Sequence, residues 1–386
     1  MNHPFDALTP ETLRQKACVK WNRYPDDVLP LWVADMDFPV AEVIKQGVRR
    51  YLETDDFGYP PDGGIPGLKA AVIARLQARY NWQVSAQQLM LINGIVPGLF
   101  LGVEALSSVG DEVLMHAPIY GPFMMAVEQT GRRPLYSRLI HDGAHWHMDI
   151  EGLEALITPA TRILMLCNPQ NPVGRVFTRK ELEQLAEVAL KHRLWVISDE
   201  LHSDITYPGH SHIPFASLGP EVAERTLTLF GPTKAFNIAG FKTGFAISHN
   251  EALLRRVKQV ATGHVGAPDV LAQAATLAAY RDGDDWLAGV LSYLKDNRDF
   301  VAEFIQTELP RVRFSAPEGT YLAWLDLRDY KLENVEAFML EHAKVGLNNG
   351  AWFGPGGEGF GRLNFATSRR IVSEALERIR DALNGL

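Results

Sequence analysis

Gly231-Pro-Thr-Lys-Ala-Phe-Asn-Ile-Ala-Gly240 lies between two strand-like runs, Thr226-Leu-Thr-Leu-Phe230 and Thr243-Gly-Phe-Ala-Ile-Ser248. Together they read as strand, turn of small residues, strand, with Lys234 delivered into the turn. A lone ammonium between apolar strands is costly unless it is paired or neutralised. A Schiff base, the amine bonded covalently to a carbonyl group, removes that cost. A lysine snorkelling out of its loop removes it equally well. The rest of the chain supplies the residues that weigh one reading against the other.

Upstream of Lys234 the pattern alternates between helix and strand. Leu68, Ala71, Val72, Ala74, Leu76 and Tyr80 sit at helical spacing, and Leu89-Met-Leu-Ile92 follows as a short buried strand. A helix over 96–107, a strand over 112–116 and a strand Ile163-Leu-Met-Leu166 come next. Thr178-Arg-Lys-Glu181 is a capping box opening a helix to about His192, and Leu194-Trp-Val-Ile-Ser198 is the strand after it. Such alternation predicts βαβ units and a largely parallel sheet between helices, an α/β fold. After about residue 285 the order changes: a long helix to 308, strand 321–327, helix 333–345, strand 361–366 and a terminal helix from Ser368. The expected division is an N-terminal arm with part of a smaller domain (1–45), a large domain (46–284) and a smaller α+β domain (285–386).

Three further segments point at one ligand near Lys234. Asn93-Gly-Ile-Val-Pro-Gly98 joins a strand to a helix, where small residues let backbone N–H groups face an anion. Asn168-Pro-Gln-Asn-Pro-Val-Gly174 follows a buried strand, and its prolines fix the loop at a strand's carboxyl end, where open α/β sheets bind ligands. Taken alone, Asn171 is equally a turn residue bonding its own backbone. Asp199 leaves an apolar strand, which suits either a helix cap or a partner for a buried cation.

The chain has 386 residues and a net charge of −8, which bounds it as a soluble globular protein of about two domains and argues against a nucleic-acid-binding face. No apolar run approaches the roughly 20 residues that cross a bilayer, and the first residues carry no secretory pattern. Cys18 and Cys167, far apart, suit a reducing, cytoplasmic setting.

In combination, Asn168-Pro-Gln-Asn-Pro-Val-Gly174, Ser198-Asp-Glu200 and Thr233-Lys-Ala-Phe-Asn237 make the chain resemble the fold-type I pyridoxal-phosphate enzymes of the class I/II aminotransferase superfamily, over nearly its whole length. The resemblance implies a seven-stranded, mostly parallel sheet in the large domain and pyridoxal 5′-phosphate as cofactor. Residue by residue, it implies Lys234 as the Schiff-base lysine, Asp199 as partner of the pyridine nitrogen, Asn171 on the ring O3′ and Tyr120, in Ala117-Pro-Ile-Tyr-Gly-Pro-Phe123, stacked on the ring. Gly94, Ile95, Val96, Thr233 and Lys242 would hold the phosphate. Tyr59, in Phe57-Gly-Tyr-Pro60, would reach the phosphate of the other subunit of a homodimer. Arg362, in Gly361-Arg-Leu-Asn-Phe365, would grip the substrate carboxylate, for which its planar fork is suited. Two positions depart from the pattern: Gly231 stands where many relatives carry a serine, and Lys242 where aminotransferases usually place an arginine.

A third difference selects a branch. Asp199-Glu-Leu-His-Ser-Asp204 has His202 where typical aminotransferases have tyrosine. With Leu31-Trp-Val-Ala-Asp-Met-Asp-Phe-Pro39, it is similar to the carbon–sulfur lyase branch that includes aminotransferase-like cystathionine β-lyases. The implied reaction is β-elimination of an S-substituted cysteine to a thiol, pyruvate and ammonia, with transamination of a small amino acid as the alternative. In either, Lys234 is the base, and Lys234 or Tyr120 could protonate the departing sulfur. The 31–39 segment reads as an arm held by a buried Trp32.

Other candidates carry less. Gly354-Pro-Gly-Gly-Glu-Gly359 matches a dinucleotide fingerprint in letters, yet it runs into a strand rather than opening a helix. His141, His145 and His147 read as a solvated hairpin, as do His210 and His212 beside Pro208-Gly209. Cys167 reads as an inert core thiol.

Overall fold

The computed structural model describes residues 3–386. Its larger sheet has seven strands: β1 (Leu89–Ile92), β2 (Glu112–Ala117), β3 (Arg133–Arg138), β4 (Thr161–Cys167), β5 (Trp195–Asp199), β6 (Thr226–Phe230) and β7 (Gly244–Ile247). Their order across the sheet is β1-β7-β6-β5-β4-β2-β3. β7 runs antiparallel to both neighbours, and the pairs from β3 to β6 are all parallel. The central strands are apolar on both faces because helices cover both; β6 is buried at every residue.

Among these helices are α1 (Leu68–Tyr80), α2 (Ile95–Leu106) and α3 (Arg179–Lys191). α2 lies against the sheet because Gly98 and Gly102 present no side chain there. A Cβ on Gly98 would come 2.6 Å from Ile92 Cδ1, and one on Gly102 would come 2.9 Å from Ile197 Cδ1. That close approach brings the N-terminus of α2 to the end of the sheet. α3 begins at the expected capping box, in which Thr178 Oγ1 accepts from Glu181 N and Glu181 Oε2 accepts from Thr178 N. A cap of this kind stabilises a helix by about 1 kcal/mol.

Beyond the sheet come α4 (Asp284–Glu308), the strands β8 (Leu322–Asp326), β9 (Asn348–Asn349) and β10 (Phe360–Asn364), and α5 (Arg369–Asn384). The three strands form an antiparallel sheet in the order β8-β10-β9. The expected 333–345 helix is shorter, an α-helix over Val335–Phe338 that widens into a π turn over Met339–Ala343. Gly354–Gly359 is the turn ahead of β10, as its sequence context suggests. No helix among the described residues is long and apolar enough to cross a membrane.

The N-terminal arm joins this second layer. Leu29 and Pro30 pair in parallel with Val345 and Gly346. Trp32, expected to anchor the arm by burial, is only half-buried; Trp21 and Phe38 are the buried aromatics instead. Trp21 Nε1 donates to Asp37 Oδ1 at 2.7 Å, and Lys20 Nζ pairs with Asp37 Oδ2 at 2.9 Å, both inside the protein. A buried ion pair of this type is strongly destabilising to break, by about 3–5 kcal/mol, because one charge is left uncompensated.

The histidines divide. Ile140–His141 and Trp146–His147 form the expected hairpin, with His147 Nε2 2.6 Å from Asp142 Oδ2. No cluster of metal-ligating side chains occurs among the described residues. His212 departs from the solvated-turn reading: it is buried, with Nε2 2.9 Å from Glu200 Oε2, because the 208–212 turn folds back against the end of β5. Both cysteines are free, and Cys167 is buried with its thiol pushed well up by burial and by the nearby Asp199.

Candidate active site

At the carboxyl ends of β4, β5 and β6 lies a cavity of about 380 Å³, and most of the residues named from sequence line it. Gly94, Ile95 and Val96 come from the turn into α2; Tyr120 follows β2; Asn171 follows β4; Asp199 and His202 leave β5; Thr233, Lys234 and Lys242 lie between β6 and β7. Cys167 and Ala34 complete the wall. Arg362, on β10, reaches the same place: its Nη1 donates to Asn171 Oδ1 at 3.0 Å. Tyr59 is not brought there. It is fully exposed, on the edge of a separate groove with Lys69, Leu89, Arg255 and Lys258.

One end of the cavity suits an anion. Gly94 has φ +99°, a conformation open to glycine, and it turns the chain from β1 into α2. Gly98 N makes the first intrahelical bond, to Gly94 O, so the N–H groups of Ile95 and Val96 have no helical acceptor. Helix N-termini with free N–H groups favour phosphate. Lys242, exposed and in the left-handed region at φ +49°, adds a cation. Gly231 takes its place for steric reasons, since a Cβ there would lie 2.8 Å from Thr243 O.

The middle of the cavity holds groups that burial has moved off their ordinary proton affinities. Burial pushes the Asp199 carboxyl up to about 7; the Leu201 N–H, at 3.0 Å, pulls the other way, Glu200 adds to the rise and Lys234 opposes it. Lys234 is lowered, first by burial and then by Arg362, with Asp35 and Asp199 opposing. Its side chain is surrounded by protein but keeps partial access through the cavity. His202 falls to about 3, through burial and then the Lys234 and Arg362 charges, so it is a neutral imidazole. Its Nδ1 is buried with no hydrogen-bond partner, and its ring meets Tyr321 edge-on at 5.9 Å. Tyr120 is raised, chiefly by burial, and its ring lies 5.3 Å from Trp352.

The far wall suits a carboxylate. Arg362 is fully enclosed, and burial lowers it to about 10. Nη2 donates to Trp32 O at 3.0 Å and Asn348 Oδ1 at 2.6 Å, while Nε is buried without a partner. Because Asn171 Oδ1 accepts from Arg362, the Asn171 amide keeps its NH2 as donor. An unpaired guanidinium N–H, an amide donor, a buried carboxylate with no fixed cation, a helix N-terminus and a depressed lysine together fit a phosphorylated pyridine aldehyde and an α-amino acid.

Sequence reasoning missed what closes the site. Every backbone carbonyl from Trp32 to Phe38 is bonded by a side chain. Arg362 takes Trp32 O, Asn364 takes Val33 O and Asp35 O, and Asn237 takes Met36 O and Phe38 O. Lys16 and Lys20 take Asp37 O and Asp35 O. Ala34 O accepts from both Lys234 Nζ and Tyr321 OH. Asn237 also receives Met36 N on its Oδ1. Its place in Thr233-Lys-Ala-Phe-Asn237 was the available signal, without anything to say which distant segment it meets.

Residues 26–379 match the family Aminotransferase class I and II, and the chain belongs to that family. Within it, the chain is 38% identical over 378 residues to Cystathionine beta-lyase PatB of Bacillus subtilis, covering 95% of this chain and 96% of that one. Among solved structures it is similar to cystalysin from Treponema denticola, which contains a pyridoxal 5′-phosphate cofactor, with a TM-score of 0.93, 31% identity and all of both chains covered. It is similar also to the PLP-bound C-S lyase from Staphylococcus hominis, with a TM-score of 0.92, 33% identity and 99% of each chain covered.

Proposed function

We propose that the protein is a pyridoxal-phosphate-dependent carbon–sulfur β-lyase, cleaving L-cystathionine and related S-substituted cysteines to a thiol, pyruvate and ammonia. The observation that carries the reading is the convergence of Lys234, Asp199, Asn171 and Arg362 on one cavity, in a chain whose full-length relatives include named lyases. When bound, the cofactor supplies an electron sink for charge developing at the substrate Cα.

The chain's own residues do the rest. The N-terminus of α2, Thr233 and Lys242 hold the phosphate, and Tyr120 covers the ring. Asp199 keeps a proton on the ring nitrogen, the service its buried carboxylate suits. Arg362 and Asn171 orient the α-carboxylate, with Arg362 Nε the donor still free. Lys234, its ammonium disfavoured by burial, is available as a neutral amine to take the Cα proton. The electron pair left at Cα forms the Cα=Cβ bond as the C–S pair leaves with sulfur, and Lys234 or Tyr120 returns a proton to the sulfur. Water hydrolyses the released enamine to pyruvate and ammonia. A thiol, with an ordinary pKa near 8.5, leaves far more readily than an alcohol.

The cofactor-binding part is assigned to residues 46–284, and the arm with residues 285–386 carries the carboxylate grip. Two chains form the working unit, with Tyr59 serving the partner's phosphate; its full exposure supports this. Two free cysteines support a reducing, cytoplasmic setting.

Borohydride reduction of the yellow protein should fix the cofactor on a Lys234 peptide. With L-cystathionine the protein should release pyruvate, ammonia and homocysteine and consume no keto acid, and Lys234→Ala should abolish the release. A requirement for 2-oxoglutarate, with a new amino acid as product, would put transamination in its place.

A further inference from the structure

We infer that Glu200, His212 and Asn168 form a buried positioning relay that fixes the Asp199 carboxylate relative to the Asn171 amide. The inference rests on the cofactor reading above, in which these two groups meet different atoms of one ring. A rigid planar ligand held at two of its edges is placed only as well as the spacing of its two anchors.

The relay begins next to Asp199. Glu200 is 1% exposed, and its carboxylate is satisfied by neutral donors: Oε1 accepts from Ser198 Oγ at 2.8 Å and Phe215 N at 2.9 Å, and Oε2 lies 2.9 Å from His212 Nε2. No lysine or arginine among the described residues pairs with it. His212, also buried, faces Asn168 on its other side, with Nδ1 3.5 Å from Asn168 Nδ2. Asn168 Oδ1 accepts from Phe177 N at 3.1 Å, so its NH2 is the group turned to the imidazole. His212 Nδ1 is therefore the acceptor and Nε2 the donor to Glu200.

The far end of the relay is the turn that carries Asn171. Asn168 opens that turn, its N–H donates to Asp199 O at 3.0 Å, and Phe177 N closes the loop beyond it on Asn168 Oδ1. Every member thus has its polar groups engaged from both sides, the condition under which a buried network rigidifies its surroundings. The choice of a carboxylate at 200 has a second effect. Its charge adds to the rise in Asp199 proton affinity that burial sets.

Cofactor affinity of the folded apoprotein, read from the growth of the visible chromophore on titration with pyridoxal phosphate, tests the relay. His212→Phe and Glu200→Gln should each weaken affinity at least tenfold. The double variant should be no worse than the poorer single, because the residues act as a unit. His212→Gln, which can still donate to Glu200 and accept from Asn168, should return to within about threefold of wild type. Tyr80→Phe is the structural control: Tyr80 packs edge-on against His212 at 5.4 Å but bonds Asp204, so it should lower Tm and leave affinity within about twofold. Folded His212→Phe or Glu200→Gln with wild-type affinity, or effects that multiply independently in the double variant, overturn the relay. If His212→Phe does not fold, Glu200→Gln decides alone, since unchanged affinity there is fatal. A wild-type protein that takes up no cofactor overturns the cofactor reading and the relay with it, a result distinct from all of these.

Discussion

Asp199 and Arg362 show how burial prepares single residues for a ligand. Burial holds the Asp199 carboxyl up near 7, so the folded chain binds its proton more tightly than the unfolded chain does. The sign follows: its contribution is present at about pH 4 and is lost as pH rises toward 7. Asp199→Asn should therefore stabilise the apoprotein at pH 8 by about 1 kcal/mol or more, with the gain vanishing near pH 4. Thermal melts of both proteins across that range check it, and a pH-independent difference would refute it. Arg362 is the converse case, a cation kept in the interior with Nε unpaired. Arg362→Ala should raise KM for an S-substituted cysteine by roughly ten- to a hundredfold, the usual worth of a charge-assisted bond. Arg362→Lys should recover little of this, because a point charge cannot replace the planar fork that also bonds Trp32 O, Asn348 and Asn171.

At the scale of elements, the decisive unit is the 32–38 segment, which has no sheet partner of its own and is fixed by side chains. Asn237→Ala removes donors to two carbonyls and an acceptor for Met36 N. It should destabilise the protein by about 1–3 kcal/mol and raise amide exchange of the arm ahead of the large sheet. Equal protection of arm and sheet in Asn237→Ala would contradict that assignment. Elements with local signals were legible in the sequence: the Thr178–Glu181 cap, the β4 and β5 runs, the turn around Gly94 and the lysine loop all lie where composition puts them. Burial was the weak point. Trp32 and His212 were misjudged because a tryptophan's anchoring and a histidine's solvation are decided by what folds onto them, here the second layer and the end of β5. The bonds from Asn237 and Asn364 to the arm were illegible for the same reason, since each joins segments roughly two or three hundred residues apart in the chain.

For the whole molecule, the expectation is a homodimer with shared sites. Tyr59 is fully exposed and does not line the cavity of its own chain; it lies on a groove that also contains the edge strand β1. An edge strand left open is a template for association, and closed C2 pairs are the commonest solution. Sedimentation should give twice the chain mass, and Tyr59→Phe should weaken cofactor retention without altering that mass. Full activity of a monomer at nanomolar dilution would contradict the shared site.

The row of bonded carbonyls over Trp32–Phe38 also bears on how such an arm tolerates change. A carbonyl is common to all residue types, so the partners Asn237, Asn364, Arg362 and Tyr321 read the path of the chain and not its side chains. A substitution at a half-buried arm position that keeps the backbone path, such as Val33→Ala, should be tolerated, whereas Asp37 and Phe38 are also held by their side chains. The grasping residues should resist replacement even though they sit in other segments. Constraint on the path of the arm is thus stored largely outside it.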